Sequence, residues 1–327
     1  MARDFILGFL AGCAAIVVVL ALVAVSLIKA GDVYGLGHWK LNVKAPFPSM
    51  TNDDGSPIQH LDEAARNMLL HIVRAAGLAS SSRNSVAVLD VGFGCGDQTV
   101  ALAELIQTPS RPLRYVGLTL NETQRQAAQQ RLEASLLAAD GNDAGNASIK
   151  LFQADAAKPE SWDKAITTAV DNLADTTAER WLLGLDCLYH FSPSRKPILT
   201  HAAQSLDASV MAFDLVLGDN TTLWQTLAVR LLGVVLLCPW QTFLTEAQYR
   251  AQLVQCGYDG GAIEMRDVSD HVFAGLAGFL QRQDAALKPY GISLTGYGAV
   301  GRVYDWLDRT RVLRGVIVVG RRKSKSL

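Results

Sequence analysis

The amino-acid sequence predicts an α/β fold, in which a doubly wound, mainly parallel sheet of seven strands carries helices on both faces. Two observations predict it. Short apolar runs of strand length alternate along the chain with longer segments of helical periodicity. A turn with three glycines, "GFGCG" at 92–96, directly follows the first of these runs. With 327 residues, half of them hydrophobic, the chain is long enough for one such domain with additions.

The predicted strands are apolar runs bounded by polar or turn residues. They lie at 86–91, 114–120, 149–155, 180–186, 209–217, 262–269 and 315–322. The predicted helices stand before and between them, at 60–77, 98–106, 121–139, 159–173 and 193–206. Asn121 and Thr123 are both available as the N-cap of the third helix. Strands that alternate with helices in this way lie mainly parallel, because each helix carries the chain back across the sheet.

Four regions follow from this pattern: an N-terminal anchor (1–30), a linker rich in glycine and proline (31–60), the α/β domain (61–322) and a basic tail (323–327). Two insertions, at 218–245 and 270–314, interrupt the domain. Both come after the C-terminal ends of strands, where open α/β sheets bind ligands. We therefore interpret both insertions as helical lids over a site.

The N-terminal segment has the length and composition of a transmembrane helix. Residues 5–28 carry no charge, and a helix of that length spans about 36 Å, against a hydrocarbon core of ~30 Å. A cleaved signal peptide is the alternative, although its apolar region is shorter, about 7–15 residues. Lys29, Lys40 and Lys44 follow the segment, whereas Arg3 precedes it. This bias predicts a single-pass protein with a cytoplasmic catalytic domain, and we expect an endomembrane.

A second apolar stretch, "LLGVVLLCPW" at 231–240, is too short to cross a bilayer. It is either a buried helix or a surface that dips into the membrane interface. The basic tail is either a solvated terminus or a weak contact with anionic lipid.

Charge and cysteine content exclude several classes of protein. The formal net charge of −1 provides no electrostatic basis for binding nucleic acid. The five cysteines are scattered and form no CxxC pair, so we expect no disulfide framework and no metal site.

The glycine turn predicts a nucleotide-like cofactor. Glycines after a buried strand let the backbone approach a ligand closely, and the helix that follows directs free N–H groups at it. A structural tight turn is the alternative. The turn reads GxGxG, with Asp97 where a dinucleotide fingerprint has its last glycine, and the second strand ends near Thr119 instead of an acid. Both departures count against a nicotinamide cofactor.

Four motifs in order, "VLDVGFGCGDQT", "YVGLTLNETQ", "LFQADA" and "LLGLDCLYHF", resemble the class I S-adenosylmethionine-dependent methyltransferases. The segment "GLTLNETQ" resembles the branch that contains cyclopropane fatty acid synthases and tocopherol methyltransferases. The resemblance covers about 60–270 and implies S-adenosylmethionine as cofactor and 61–322 as a methyltransferase domain. It also implies cofactor contacts for Asp90, Gly92, Gly94 and Gly96 at the methionine end, Thr119, Leu120 and Gln124 at the ribose and adenine, and Asp155 and Ala156 at the adenine.

The fourth motif supplies the candidate catalytic residues. The resemblance implies that Asp186 faces the sulfonium and the acceptor. Tyr189 and His190 follow it at the end of the same predicted strand. His190 is the best general-base candidate, because imidazole titrates near neutral pH. The alternative is a histidine that only hydrogen-bonds a neighbouring loop.

These observations together predict a membrane-anchored methyltransferase that acts on a hydrophobic small molecule or lipid. The anchor motivates the apolar acceptor, because it concentrates the enzyme where such molecules partition. Two alternatives stay open: a non-catalytic scaffold with this fold, and a nicotinamide-dependent dehydrogenase.

Overall fold

The structure is a computed structural model that describes residues 48–52, 54–78, 85–108, 111–138, 148–174, 179–291 and 295–323. The predicted anchor at 5–28, most of the linker and most of the basic tail lie outside the described residues. Within those ranges, none of the helices is both long and apolar enough to cross a membrane.

Seven strands form one sheet in the order β3-β2-β1-β4-β5-β7-β6. The prediction of a seven-stranded α/β sheet is therefore confirmed. The strands are β1 Val86–Val91, β2 Leu113–Thr119, β3 Ser148–Gln153, β4 Glu179–Leu185, β5 Ser209–Leu217, β6 Tyr258–Asp267 and β7 Leu313–Arg322.

The last strand runs against its neighbours. Strands β1 to β5 are parallel, whereas β7 is antiparallel to both β5 and β6. The β5–β7 ladder runs without interruption from Val210 opposite Gly320 to Leu217 opposite Leu313. Strand β7 lies between β5 and β6 and is antiparallel to both, so the sheet is mixed.

Nine helices of four residues or more lie in the described ranges. They are α1 Leu61–Ala75, α2 Asp97–Ile106, α3 Glu122–Ala138, α4 Lys164–Ala174, α5 Lys196–Gln204, α6 Leu223–Val235, α7 Glu246–Cys256, α8 Ser269–Leu287 and α9 Thr295–Thr310. One face of the sheet buries side chains of α1, α2, α3, α6, α8 and α9. The other face buries side chains of α4, α5 and α7. Strands β1 and β5 are buried along their whole length because both faces are covered.

The chain just before α1 is packed, although the sequence places it in the linker. The Met50 N–H donates to the His271 carbonyl at 2.7 Å, and the Ile58 N–H donates to the Met50 carbonyl at 2.8 Å. A Cβ added to Gly275 of α8 would lie 2.3 Å from the Met50 Cβ. The glycine therefore lets this segment lie directly on α8.

Both insertions are helical, and the start of the first lies beside the end of the second, where β5 ends and β7 begins. Residues 218–245 contain α6, which begins with a capping box between Thr222 and Gln225. Residues 270–314 contain most of α8 and all of α9, which pack against each other. The Gly218 N–H donates to the Val312 carbonyl at 3.0 Å, and an Arg311–Asp270 ion pair joins the end of α9 to the start of α8.

Candidate active site

The predicted site residues lie at or shortly after the C-terminal ends of four neighbouring parallel strands. Strand order reverses between β1 and β4, and open α/β sheets bind ligands at such a reversal. The loops after these two strands touch, because the Cys187 thiol donates to the Val91 carbonyl at 2.8 Å. The structure therefore brings the glycine turn and the "DCLYHF" motif together.

The glycine turn has the backbone conformation that the sequence predicts. Gly92, Gly94 and Gly96 have φ values of 85°, 65° and 91°, all in the left-handed region. Side chains other than glycine adopt this region at a cost of roughly 1–2 kcal/mol. Gly96 is the N-cap of α2 and offers that helix no side chain as a cap. The first N–H groups of α2 are therefore open to a ligand.

The three glycines have different structural roles. A Cβ on Gly92 would lie 3.0 Å from the Cys187 Cβ, so this glycine lets the β1 and β4 loops approach. A Cβ on Gly96 would lie 2.8 Å from the Ala128 backbone, so this glycine lets α3 pack against the turn. A Cβ on Gly94 would meet nothing within 4 Å. Of the three, Gly94 is the one that borders open space.

Asp90 is a buried acid held under the turn. The Tyr115 hydroxyl donates to Asp90 Oδ2 at 2.6 Å, and the Gln98 amide donates to the same oxygen at 2.7 Å. Burial raises the pKa of Asp90 to about 7, although both hydrogen bonds act to lower it. Asp90 Oδ1 has no hydrogen-bond partner in the described part of the chain. This oxygen can still accept a donor such as a ligand ammonium.

Thr119 and Gln124, predicted at the ribose and adenine, contact each other at the end of β2. The Thr119 hydroxyl donates to Gln124 Oε1 at 2.8 Å. Asn121 caps α3, since its Oδ1 accepts from the Thr123 N–H at 2.9 Å. Leu120 lies between them with 70% of its surface exposed, which leaves an apolar side chain facing solvent at the site.

Asp155 is fixed in a turn after β3. Its Oδ1 accepts from the Ala157 N–H at 3.0 Å, and its Oδ2 pairs with Lys158 Nζ at 3.1 Å. The Trp162 indole donates to the Asp155 carbonyl at 3.0 Å, which anchors the turn to the core. The carboxylate is partly exposed, so a ligand amine can reach it. Ala156, in contrast, is buried with the core under the second face.

The "DCLYHF" motif forms a strained turn after β4. Asp186 has a φ of 56°, which a residue other than glycine adopts at a cost. The Tyr189 hydroxyl donates to Asp186 Oδ1 at 2.6 Å, and burial, together with the charge of Asp186, raises the pKa of Tyr189 well above its usual value. Burial and the charge of the same carboxylate also raise the pKa of Tyr304 on α9.

His190 contacts the first insertion. The Cys238 sulfur lies 3.2 Å from His190 Nδ1, and the Tyr189 and His190 rings are 4.4 Å apart. The Thr242 hydroxyl donates to the Tyr189 carbonyl at 2.6 Å. Phe243 lies 6.2 Å from the Tyr189 ring. Residues 238–243 therefore pack directly on the candidate catalytic residues.

A buried ion pair supports this contact from below. Arg195 and Asp214 pair inside the protein, and Asp214 also accepts from the Tyr249 hydroxyl at 2.7 Å. Arg195 donates to both oxygens of Thr242. Its guanidinium lies 4.6 Å from the centre of the Tyr249 ring. The network ties β5, α7 and the end of the first insertion to one charge pair.

Several of these contacts have no signal in the sequence. Tyr115 and Gln98 complete the environment of Asp90. Of the two, only Gln98 could have been suspected from the sequence, because it follows the glycine turn by two residues. Cys238, Thr242 and Tyr304 come from insertions far along the chain, and no spacing connects them with the site.

The arrangement fits S-adenosylmethionine. Gly94 opens space beside the free end of α2, Asp90 offers an oxygen to an ammonium group, and the ends of β2 and β3 present the Thr119–Gln124 pair and the Asp155 carboxylate. These groups lie at or just after the C-terminal ends of three adjacent strands, β1, β2 and β3.

The strand order, the reversed β7 and the glycine turn at the switch point give this chain the fold of the class I S-adenosylmethionine-dependent methyltransferases. The resemblance of the four motifs is thereby confirmed at the level of the fold. The sequence matches no family model, and no curated protein matches it.

Solved structures of other proteins share the fold. The (4+2)-cyclase SpnF aligns at 15% identity and a TM-score of 0.55, over 90% of this chain and 94% of that one. The cyclopropane synthase MmaA2 from Mycobacterium tuberculosis aligns at 16% identity and a TM-score of 0.55, over 85% and 90%. A geranyl diphosphate methyltransferase in complex with GPP and sinefungin aligns at 11% identity and a TM-score of 0.51, over 90% and 94%.

Proposed function

We propose that this protein is an S-adenosylmethionine-dependent methyltransferase that acts on a hydrophobic small molecule or lipid and is held at a membrane by residues 5–28. One observation carries the cofactor assignment: at the switch point of the sheet, the left-handed Gly94 borders open space beside the free N–H groups of α2. Within the described part of the chain, a Cβ at Gly94 would meet no atom within 4 Å, and we assign this space to the donor.

The cofactor supplies an electrophilic methyl group on a sulfonium. In this proposal Asp90 and the turn 92–96 bind the amino-acid end, and Thr119, Gln124 and Asp155 bind the adenosine. Methyl transfer is an in-line displacement, so the protein contributes mainly orientation, which is worth several kcal/mol.

The acceptor faces the "DCLYHF" turn. Tyr189 already donates to Asp186, so it positions that carboxylate and is not itself a base. His190 is the group that removes a proton when the acceptor is a hydroxyl or a carbon acid. Its contact with Cys238 at Nδ1 orients the imidazole where the first insertion meets the "DCLYHF" turn.

Three features support an apolar acceptor. The aromatic rings of Phe243 and Tyr189 lie 6.2 Å apart where the first insertion meets the "DCLYHF" turn. The sequence places a charge-free segment of membrane-spanning length at 5–28, which keeps the domain near lipids. Two structures with this fold are, by their descriptions, a cyclopropane synthase and a geranyl diphosphate methyltransferase.

The test is calorimetry of the full chain in detergent with S-adenosylhomocysteine, followed by an assay with methyl-labelled cofactor and a total lipid extract. We expect saturable binding at one site and label in the lipid fraction. Absence of binding would favour the scaffold. Binding with label only in water-soluble metabolites would refute the lipid acceptor and keep the methyltransferase.

A further inference from the structure

We propose that α6 and the turn after it, residues 223–240, form a lipid-binding face that rests in the interface of a bilayer beside the acceptor site. The role that we give this face, to bring the acceptor site to lipid, rests on the proposed function. The contact with lipid itself can be tested without measuring turnover.

The outer side of α6 is apolar and exposed. Its exposed side chains recur at helical spacing and so share one face, opposite the buried Val229 and Gly233. Monomeric proteins seldom expose contiguous apolar surface of this extent without a partner. The exposed residues are Leu223, Trp224, Leu227, Leu231, Val234, Val235, Leu236, Leu237 and Trp240.

The charges around this face suit a membrane. Between Asp219 and Glu246 the only charged residue is Arg230. Its guanidinium lies 6.0 Å from the centre of the Trp240 ring, an Arg–Trp pair of the kind that sits at the level of lipid headgroups. The segment itself therefore contributes no carboxylate to desolvate or to repel anionic lipid, and it contributes one cation to attract it.

Backbone strain at Leu237 indicates that this exposed apolar side chain contacts a partner outside the protein. Helix α6 ends in a Schellman motif, in which the Cys238 N–H donates to the Gly233 carbonyl at 2.8 Å and the Leu237 N–H to the Val234 carbonyl at 3.0 Å. The central position of this motif usually holds glycine, but here Leu237 adopts a φ of 61° with 80% of its surface exposed. A side chain that costs strain and buries little in the protein itself is explained by contact with something outside it.

The inner side of the same segment touches the site. Cys238, which follows Leu237, contacts His190, and Phe243 contacts Tyr189. A face that lies in the headgroup region would therefore hold the acceptor side of the site next to the acyl chains. The chain also carries the apolar segment 5–28 on its N-terminal side, so a bilayer is the partner already present when the protein is anchored.

The test uses the full chain in vesicles of phosphatidylcholine and phosphatidylglycerol. A photo-crosslinking amino acid is placed at position 237, with a matched control at position 130 on the exposed side of α3, at the far end of the sheet from β5. We expect crosslinks to phospholipid from position 237, at least about fivefold above position 130. The proposal would be overturned by crosslinks to residues 1–47, by crosslinks to a second copy of the chain, or by a yield of lipid crosslinks no higher than that from position 130.

A second measurement uses Leu237→Asn, because asparagine tolerates the left-handed conformation. We expect the Tm in detergent to rise by about 2–4 °C and crosslinking to lipid from position 231 to fall by about threefold. A crosslinking yield that does not change would overturn the proposal. Neither measurement depends on methyl transfer. Both therefore test the contact with lipid even if the proposed function is wrong.

Discussion

Replacing Gly94 by alanine tests the cofactor site without testing the core. The added methyl group meets no protein atom within 4 Å, so the variant has no steric reason to unfold. Its φ of 65° costs roughly 1–2 kcal/mol for a residue with a Cβ. Alanine also lowers the conformational entropy of the unfolded chain, which stabilises the folded state by about 0.4–1 kcal/mol and offsets part of this cost. We therefore expect a net loss of stability of about 1 kcal/mol, which corresponds to a decrease in Tm of about 2–4 °C.

Binding should respond far more strongly than stability. The new methyl group projects into the space that the cofactor would occupy, and a single unrelieved overlap of this kind costs at least ~1.4 kcal/mol, or tenfold in Kd. The assay is calorimetry of the full chain with S-adenosylhomocysteine, combined with thermal unfolding with and without that ligand. The wild type should gain stability with ligand, about 2.7 kcal/mol at a hundredfold excess over Kd, whereas Gly94→Ala should gain much less.

Gly96→Ala is the matched control. Its methyl group would lie 2.8 Å from the Ala128 backbone, so α3 must move, at a cost of ~1–3 kcal/mol beyond the backbone strain. This variant should lose more stability than Gly94→Ala. The reasoning is refuted if Gly94→Ala binds S-adenosylhomocysteine with the affinity of the wild type, because the open space beside Gly94 would then not be the cofactor site.

Three further variants probe the groups around the site. The pKa of Asp90 is about 7 in the folded state against an ordinary 3.8, so between these pH values the folded state holds a proton that the unfolded chain has released. The free energy of unfolding should therefore fall by on the order of 4 kcal/mol as pH rises from about 4 to about 7. Asp90→Asn should remove this pH dependence, as measured by urea unfolding. The same variant should weaken binding of S-adenosylhomocysteine, because the amide presents N–H groups to the ligand ammonium. Arg195→Met leaves Asp214 buried without its partner and should lower the free energy of unfolding by ~3–5 kcal/mol, measured by urea titration at neutral pH; unchanged stability would contradict the role of the pair. Tyr189→Phe removes one donor to Asp186 and should cost ~1.5–3 kcal/mol of stability, with turnover reduced further than cofactor binding; equal loss of both would show that the hydroxyl does not position the acceptor side.

The sheet was largely predictable from local pattern. The runs at 86–91 and 209–217 match β1 and β5 residue for residue, because strands buried on both faces are continuous apolar segments with sharp ends. The strand at 262–269 was placed too late, since β6 begins at Tyr258 and includes two exposed glycines and a bulge that weaken its apolar signal. The helix at 159–173 divides into a short turn, Pro159–Ser161, and α4, because Trp162 leaves the helical conformation.

The clustering of the predicted cofactor residues could be foreseen from the sequence. Glycine spacing and the acid before it are local features, and the structure gathers Asp90, Thr119, Gln124 and Asp155 at one edge of the sheet. The surroundings of His190 could not be foreseen, because it contacts Cys238, which lies 48 residues further along the chain. Periodicity carries no information on which loops meet across such a separation.

By itself the sequence determined the seven strands, the helices that precede and separate the first five of them, and the position of the glycine turn, because backbone propensity and burial on a repeating face act over a few residues. The tertiary structure alone decided that β7 runs against its neighbours, that Gly96 serves helix packing while Gly94 borders open space, and that the inner side of residues 223–243 meets Tyr189 and His190. Those outcomes depend on which surfaces find each other when the chain collapses, and that choice is made by the whole fold.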